Sequence, residues 1–132
     1  MEAELTRAQE YVKQGIVLYE QDKFEDARIY FEKAAAEDQM NDETYILIAQ
    51  TYIMQDDYAA ARENLKKALL IDKKNGTTYF HLGNVEMLDG NMDAAKECFT
   101  KAISLGADSV QIYINLAAAE EERRDYAKAM TY

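Results

Sequence analysis

The 132-residue chain has no proline, no tryptophan and only five glycines. Because proline and glycine most strongly disfavour a helix interior, their scarcity favours a chain made almost wholly of helices. A single cysteine, Cys98, excludes an intramolecular disulfide framework and a cluster of thiolate metal ligands. A single histidine, His81, likewise excludes a metal site built on paired histidines.

Long apolar runs are also missing from the sequence. No stretch reaches the roughly 18 unbroken apolar residues expected of a membrane span. The N-terminal sequence MEAELTRAQEY is acidic and has no apolar core, so it does not resemble a signal peptide. We therefore expect a cytoplasmic protein with no membrane insertion, although a longer parent protein could carry a signal or an anchor.

Charge of one sign dominates the chain. Acidic residues outnumber basic ones by 25 to 15, which gives a net charge of −10. Such a surface repels phosphate backbones, so nucleic-acid binding is disfavoured and a basic or neutral partner is favoured. The same charge also serves solubility, and the sequence does not separate these two roles. Hydrophobic residues make up 48% of the chain, which argues against disorder.

What the chain has in abundance is self-similarity with a period of 34 residues. Moving the stretch 42–72 by this period places Tyr45 on Tyr11, Tyr79 and Tyr113. A fixed period of this kind indicates a repeat architecture. The copies span residues 8–41, 42–75, 76–109 and, incompletely, 110–132.

Each copy predicts two helices separated by a polar turn. The first helix carries a small residue where another backbone can approach closely, namely Gly15, Ala49, Gly83 and Ala117. The turns fall at residues 21–23, 55–57, 89–91 and 123–125, and the second helices begin at residues 24, 58, 92 and 126. Short polar links between the copies force consecutive helices to pack antiparallel, with Asn41, Asn75 and either Asp108 or Ser109 as helix caps.

The order of aromatic, small, aromatic, alanine, large apolar and alanine residues in each copy resembles the tetratricopeptide repeat (TPR). The resemblance covers essentially the whole chain. It implies an all-α fold, an α-α superhelix (TPR solenoid) of antiparallel helix hairpins with three full repeats and a truncated fourth, in a single domain over residues 1–132. Tyrosine replaces the family's frequent tryptophan, and Gln39, Lys73 and Ala107 replace its frequent proline. Neither departure disturbs the packing.

The fourth copy is incomplete. Its second helix, predicted to begin at Tyr126, has only the seven residues that end at Tyr132, which is too short to be stable alone. The apolar face of residues 110–124 would therefore be only partly covered. We expect a piece of a longer repeat protein with further residues C-terminal to it, or an end that self-association covers.

The repeat pattern does not bring catalytic or cofactor-binding side chains together. The glycines are scattered, so no phosphate-binding loop is predicted, and most carboxylates fall in turns or on outer helix faces. Cys98 lies beside the predicted core residue Phe99, which favours a partly buried, inert thiol. We predict a protein that is not an enzyme and uses no cofactor.

The resemblance implies that the first helices line a concave groove. The predicted groove residues are unusually apolar for a solvent-facing surface, which usually marks an interface. An alternative is that these side chains bury against each other or against further repeats. They are Val12, Ile16, Tyr19, Ile46, Leu47, Gln50, Ile53, Met54, Phe80, His81, Asn84, Met87, Leu88, Ile114 and Asn115.

Two better-defined groove types of the family do not match this chain. A clamp for acidic C-terminal tails needs two or more cations, whereas the matching places hold residues such as Val12, Leu47 and His81. An asparagine ladder needs asparagine once per repeat, and only Asn115 occupies its place. His81 is the one groove residue expected to titrate near neutral pH.

These features lead to one main hypothesis and two alternatives. The main hypothesis is a non-enzymatic scaffold that binds a peptide or amphipathic helix, with apolar anchors in the groove and Gln50, Asn84 and Asn115 fixing orientation. A basic amphipathic ligand would also meet acidic residues at the rim. The alternatives are a self-assembly module that forms homo-oligomers and the regulatory arm of a larger enzyme.

Overall fold

The computed structural model describes residues 4–131, except the side chains of residues 126, 129 and 131. Over this range the chain folds into seven α-helices. No strand occurs in this described range, so the predicted all-α class is confirmed. The helices are α1 (Arg7–Glu20), α2 (Phe24–Glu37), α3 (Asp42–Met54), α4 (Tyr58–Ile71), α5 (Gly76–Leu88), α6 (Met92–Ser104) and α7 (Ser109–Thr131).

The chain divides into two compact units, Met1–Lys74 and Asn75–Tyr132, here called unit 1 and unit 2. In unit 1, α1 packs on α2 and α3 packs on α4, while α2 also contacts α3. In unit 2, α5 packs on α6, and α7 contacts both. Each tightly packed pair is joined by a short turn, so the predicted antiparallel hairpins are confirmed. A single domain over residues 1–132 stays a prediction.

Side-chain caps fix where the helices begin. Thr6 and Gln9 form a capping box at the start of α1, with reciprocal hydrogen bonds of 3.1 and 2.9 Å. Asn41 and Asn75 each accept a backbone hydrogen bond from the residue two positions later. Asp108, the first of the two caps proposed for α7, accepts from the backbone N–H of Val110 at 3.0 Å.

The turns inside the hairpins depend on one residue with a positive φ angle. Asp22, Asp56 and Gly90 occupy the same place in successive copies and have φ of 61°, 60° and 87°. Glycine adopts this left-handed conformation freely, and aspartate does so more readily than most other residues. The three predicted turns therefore form where the sequence placed them.

The fourth predicted turn is wrong. Helix α7 runs without a break from Ser109 to Thr131, through residues 123–125, so no second helix begins at Tyr126. The place held by Asp22, Asp56 and Gly90 is occupied here by Arg124. Arginine has no special access to positive φ and is a good helix former, as are the alanines and glutamates before it. The helix therefore continues.

Contact between a small residue and an aromatic ring sets the spacing inside two of the hairpins. A Cβ atom placed on Gly15 would lie 2.5 Å from the Phe31 ring, and one placed on Gly83 would lie 2.4 Å from the Phe99 ring. Phe31 and Phe99 are almost fully buried, and each belongs to a hydrophobic core cluster of its unit. In the copy between them, the same two places hold Ala49 and Leu65, which are also fully buried.

A cation on the second helix links each hairpin to the next first helix within its unit. In unit 1, Arg28 Nε donates to Thr51 Oγ1 at 2.9 Å, and its guanidinium lies 3.7 Å from the centroid of the Tyr52 ring. In unit 2, Lys96 occupies the equivalent place, and its Nζ lies 3.1 Å from Glu120 Oε1. These contacts tie α2 to α3 and α6 to α7.

Gly83→Ala should destabilise the protein although alanine favours a helix. The propensity gain is about 1 kcal/mol. Overpacking against Phe99 costs about 1–3 kcal/mol, so we expect a net loss of unfolding free energy, measured by urea denaturation. Gly83→Ala combined with Phe99→Leu recreates the natural Ala49/Leu65 pair and should lose less than the two single changes added together.

The double-mutant cycle gives this prediction its control. Additive losses would show that the glycine is not required by the ring of Phe99. The reverse change Ala49→Gly should cost about 1 kcal/mol, since it removes helix propensity without relieving any clash.

Thr78→Val should stabilise the protein by about 1 kcal/mol, since Thr78 Oγ1 is buried without a hydrogen-bond partner among the described residues. The matched variant is Thr51→Val, at another fully buried threonine. Thr51 Oγ1 accepts from Arg28 and donates to the Ile48 carbonyl at 2.6 Å, so its loss should cost about 2–3 kcal/mol. Equal shifts in the urea midpoints of the two variants would contradict this assignment.

Candidate functional site

The predicted groove residues lie on the first helices, and each unit carries its own set. We call the predicted residues of α1 and α3 the unit 1 face, and those of α5 and α7 the unit 2 face. The unit 1 face comprises Val12, Ile16, Tyr19, Ile46, Leu47, Gln50, Ile53 and Met54. The unit 2 face comprises Phe80, His81, Asn84, Met87, Leu88, Ile114 and Asn115.

On the unit 1 face, solvent reaches only some of the predicted residues. Met54 is 51% exposed and Ile16 39% exposed, so both present apolar surface to a ligand. Val12, Gln50 and Ile53 are half-buried. Ile46 is only 5% exposed, so it belongs to the interior and offers nothing to a ligand.

Two further residues of the unit 1 face are tied to the core. Leu47 and Tyr19 pack against the cluster that contains Phe31. The Tyr19 ring also meets the Phe24 ring edge-on, with 5.2 Å between centroids. Burial, and secondarily the charge of Asp22, raises the pKa of the Tyr19 hydroxyl, which stays protonated at neutral pH.

The unit 2 face shows the same division between core and surface. Leu88 and Ile114 are exposed at 51% and 55%. Phe80 and Met87 are half-buried and pack against the cluster around Phe99, with 6.2 Å between the two phenylalanine ring centroids. Phe80 and Met87 therefore follow, in large part, the alternative interpretation of the sequence, in which the predicted groove side chains are buried within the protein.

A chain of side-chain amides crosses the unit 2 face from α7 to α5. Gln111 Nε2 donates to Asn115 Oδ1 at 3.0 Å, and Asn115 Nδ2 donates to Asn84 Oδ1 at 3.0 Å. Among the described residues, no acceptor is bonded to Asn84 Nδ2. The two predicted asparagines therefore do come together, and Gln111 orients them.

His81 does not titrate where the sequence suggested. Burial lowers its pKa from 6.5 to about 4, because the surroundings do not solvate an imidazolium. Its ring lies edge-on to Phe80, with 5.3 Å between centroids. The side chain therefore stays neutral through the physiological pH range, and a switch near neutral pH is not supported.

Groups suited to chemistry are dispersed in the described part of the chain. Burial, followed by the charges of Glu86 and Glu97, raises the pKa of the Cys98 thiol, which disfavours the reactive thiolate. Residues 4–131 contain no group of three potential metal-ligating side chains. Over the same range, no helix is both long enough and apolar enough to cross a membrane.

The structure also contains a cleft that sequence reasoning missed. This cleft, here called the α7 cleft, has a volume of about 940 Å³ and lies between α7 and the turn that joins α5 to α6. Its walls include Met92 and Asn91, which belong to a second helix and its cap rather than to a first helix. The consecutive alanines 117–119 were the available signal, since small side chains leave space beside a neighbouring helix.

Comparison with known proteins decides the family. A family model described as "Tetratricopeptide repeat" matches residues 18–83, which is half of the chain, and a second model of the same description matches residues 76–108. The chain belongs to the tetratricopeptide repeat family. Among curated protein sequences, none matches it.

Several solved structures share this tetratricopeptide fold. One is the type III secretion translocator chaperone SycD of Yersinia enterocolitica, with a TM-score of 0.81, 17% identity, and coverage of 93% of this chain and 98% of SycD. SycD in complex with a peptide of the translocator YopD aligns with a TM-score of 0.76 at 17% identity, covering 86% and 92%. The second TPR domain of human RPAP3, in complex with an HSP70 peptide, aligns at 0.77 and 20% identity, covering 86% and 95%.

The buried histidine predicts a pH dependence of stability in this tetratricopeptide protein. Because the folded-state pKa of His81 is about 4 and its unfolded value 6.5, protonation favours the unfolded chain. The stabilisation is complete above pH 6.5 and is lost as the pH falls towards 4, which amounts to about 3 kcal/mol. Urea denaturation should therefore show a steeper loss of stability for the natural protein than for His81→Gln between pH 7.5 and 4.

The comparison with His81→Gln removes the contribution of the many carboxylates, which titrate in both proteins. Parallel stability curves for the two proteins would show that the imidazole is solvated in the folded state. Any constant offset between the curves reports the other contacts of residue 81 and does not affect the pH term.

Proposed function

We propose that the chain is an interaction scaffold that binds a peptide or a short amphipathic helix of a partner protein through its first-helix faces. The amide chain of Gln111, Asn115 and Asn84, flanked by exposed Leu88 and Ile114, carries this proposal. Amides that hold one another in place leave a donor for a ligand backbone, and neighbouring apolar side chains supply contact area.

The structural relatives support the general mode of action. The SycD and RPAP3 structures contain peptides of other proteins, a YopD peptide and an HSP70 peptide. Identities of 17% and 20% transfer the fold but not the ligand. We therefore propose peptide binding as the shared activity and derive the ligand's chemistry from the residues of this chain.

Those residues disfavour an acidic ligand tail. The clamp positions hold uncharged side chains such as Val12, Leu47 and a neutral His81, and the chain carries a net charge of −10. A carboxylate would have no cation to bind and would meet a repulsive field. Neutral or basic apolar segments are the better fit, and no enzymatic activity is proposed.

Burial narrows the set of contact residues. Ile46 is interior, while Leu47, Phe80 and Met87 pack largely on the two cores. The contact residues that we propose are the exposed Ile16 and Met54 on unit 1, and Leu88 and Ile114 on unit 2, together with the half-buried amides.

Self-association is the second candidate, and one observation favours it. Val110, Tyr113 and Ile114 on α7 are exposed at 65%, 61% and 55%, and they lie three and four residues apart on one side of the helix. An apolar stripe of this kind suits another helix, including one from a second copy. Light scattering over a concentration series separates the candidates, since a strict monomer at high concentration excludes a homo-oligomer.

The proposal is tested by selecting ligands from a displayed library of random peptides and measuring their binding by fluorescence anisotropy. Leu88→Asp/Ile114→Asp should weaken ligands of the unit 2 face, and Ile16→Asp/Met54→Asp should weaken ligands of the unit 1 face. Each loss should be at least about 10-fold, because an aspartate in an apolar contact is desolvated. Ile29→Asp/Leu70→Asp is the matched control, since these side chains are 50% and 80% exposed on second helices. Equal effects of all three double variants would contradict a site on the first helices.

A further inference from the structure

The α7 cleft is lined by apolar side chains together with amides and charged groups, and two carboxylates stand at its rim. Its apolar lining consists of Met87 at the end of α5, Met92 and Ala94 at the start of α6, and Ala118 and Ala119 on α7, of which Ala118 is exposed. The volume of about 940 Å³ exceeds what one side chain occupies, so the cleft has room for a bulky side chain together with part of the backbone that carries it.

Beside the α7 cleft, α7 lacks a contact that α3 makes in unit 1. In unit 1, Thr51 on α3 accepts a hydrogen bond from Arg28 on α2. The place equivalent to Thr51 in the fourth copy is held by Ala119, which offers no polar atom and little bulk. Lys96 instead forms an ion pair with Glu120, which follows Ala119 on α7. The attachment of α7 to α6 therefore differs from that of α3 to α2.

Two carboxylates stand at the rim of this cleft, Asp93 on α6 and Glu122 on α7. Both are exposed, and neither forms an ion pair among the residues that the structure describes. The rim also contains Arg123, whose charge acts on Glu120 and helps to lower the pKa of that carboxyl. The C-terminus of α5 carries a partial negative charge and the N-terminus of α6 a partial positive charge, and these two charges offset each other. Counted with Arg123, the two carboxylates leave the charged side chains of the cleft with a net charge of −1.

We propose that the α7 cleft receives a bulky apolar side chain from a cationic amphipathic helix of a partner protein, with lysine or arginine of that helix facing Asp93 and Glu122. Met87 and Met92 suit such an anchor, because flexible thioether side chains adapt to leucine, phenylalanine or methionine. A helix presents its anchor and a cation together when they are three or four residues apart. This inference rests on the proposed function, since Leu88 and Asn115 contribute to both the proposed contact surface of unit 2 and the cleft.

The experiment measures binding of the full chain to synthetic helical peptides of about 18 residues, which span five turns. The first peptide has leucine on one face and lysine on the other, the second replaces lysine by glutamate, and the third has the first composition in scrambled order. Fluorescence anisotropy reports each dissociation constant. We expect the leucine–lysine peptide to bind at least about 10-fold more tightly than the other two.

Three variants locate the site on the protein. Ala118→Trp fills the cleft and should weaken binding of the leucine–lysine peptide at least about 10-fold. Asp93→Lys/Glu122→Lys reverses the charge of both rim carboxylates. It should weaken binding of the leucine–lysine peptide by a similar factor and improve binding of the leucine–glutamate peptide. Glu32→Lys/Glu97→Lys makes the same change in net charge at exposed sites on α2 and α6 outside the cleft, and should change binding less than about 2-fold. Circular dichroism confirms that each variant is folded.

The outcomes separate this inference from the proposed function. If Leu88→Asp/Ile114→Asp abolishes binding of library-selected peptides while Ala118→Trp and the rim variant leave leucine–lysine binding unchanged, the proposed function stands and the cleft inference is overturned. Equal effects of the rim variant and its charge-matched control would also overturn it. If light scattering shows a dimer that Ala118→Trp converts to a monomer, and no peptide binds, the occupant is a second copy and the inference fails.

Discussion

In both units, a glycine of a first helix packs directly against a phenylalanine ring of the following second helix. At Gly83 the ring of Phe99 occupies the space that a Cβ would need, and at Gly15 the ring of Phe31 does the same. This contact sets the distance between the two helices of a hairpin and thereby the position of every other side chain between them. The pair Ala49 and Leu65 keeps the combined volume while moving bulk from one helix to the other. Interiors are packed densely enough that such exchanges must be reciprocal.

The other constraint is the backbone conformation of a single turn residue. Where Asp56 or Gly90 adopts a positive φ, the chain reverses and a second helix returns over the first. Where Arg124 takes that place, the helix continues, and α7 keeps an apolar side that includes Tyr113 open to solvent. Among the described residues, no second helix returns over α7, and its apolar stripe lies exposed. Of the surfaces that we propose for partners, the one on α7 thus lies where the repeat pattern departs from its own rule.

Most of the fold could be predicted from the sequence, because a period of 34 residues determines which positions face inward in every copy. The buried places of Ala61, Leu65 and Phe99 follow from that period alone. The candidate site could be predicted only in outline. Ile46 is interior and His81 is desolvated, and periodicity does not give the exposure of an individual side chain. The bond between Asn84 and Asn115 depends on how α7 approaches α5, which no local pattern encodes.

The equivalent cations Arg28 and Lys96 give the two units different sensitivities to ionic strength. Arg28 lies over the Tyr52 ring and bonds to a neutral hydroxyl, so dissolved salt has little charge to screen in its contacts. Lys96 depends on a partly exposed carboxylate, Glu120, and a pair of this kind weakens as counterions accumulate. Rising electrolyte concentration should therefore loosen the attachment of α7 to α6 while leaving that of α3 to α2 intact. The helix with the open apolar side is also the one whose hold on its hairpin responds to the ionic composition of its surroundings.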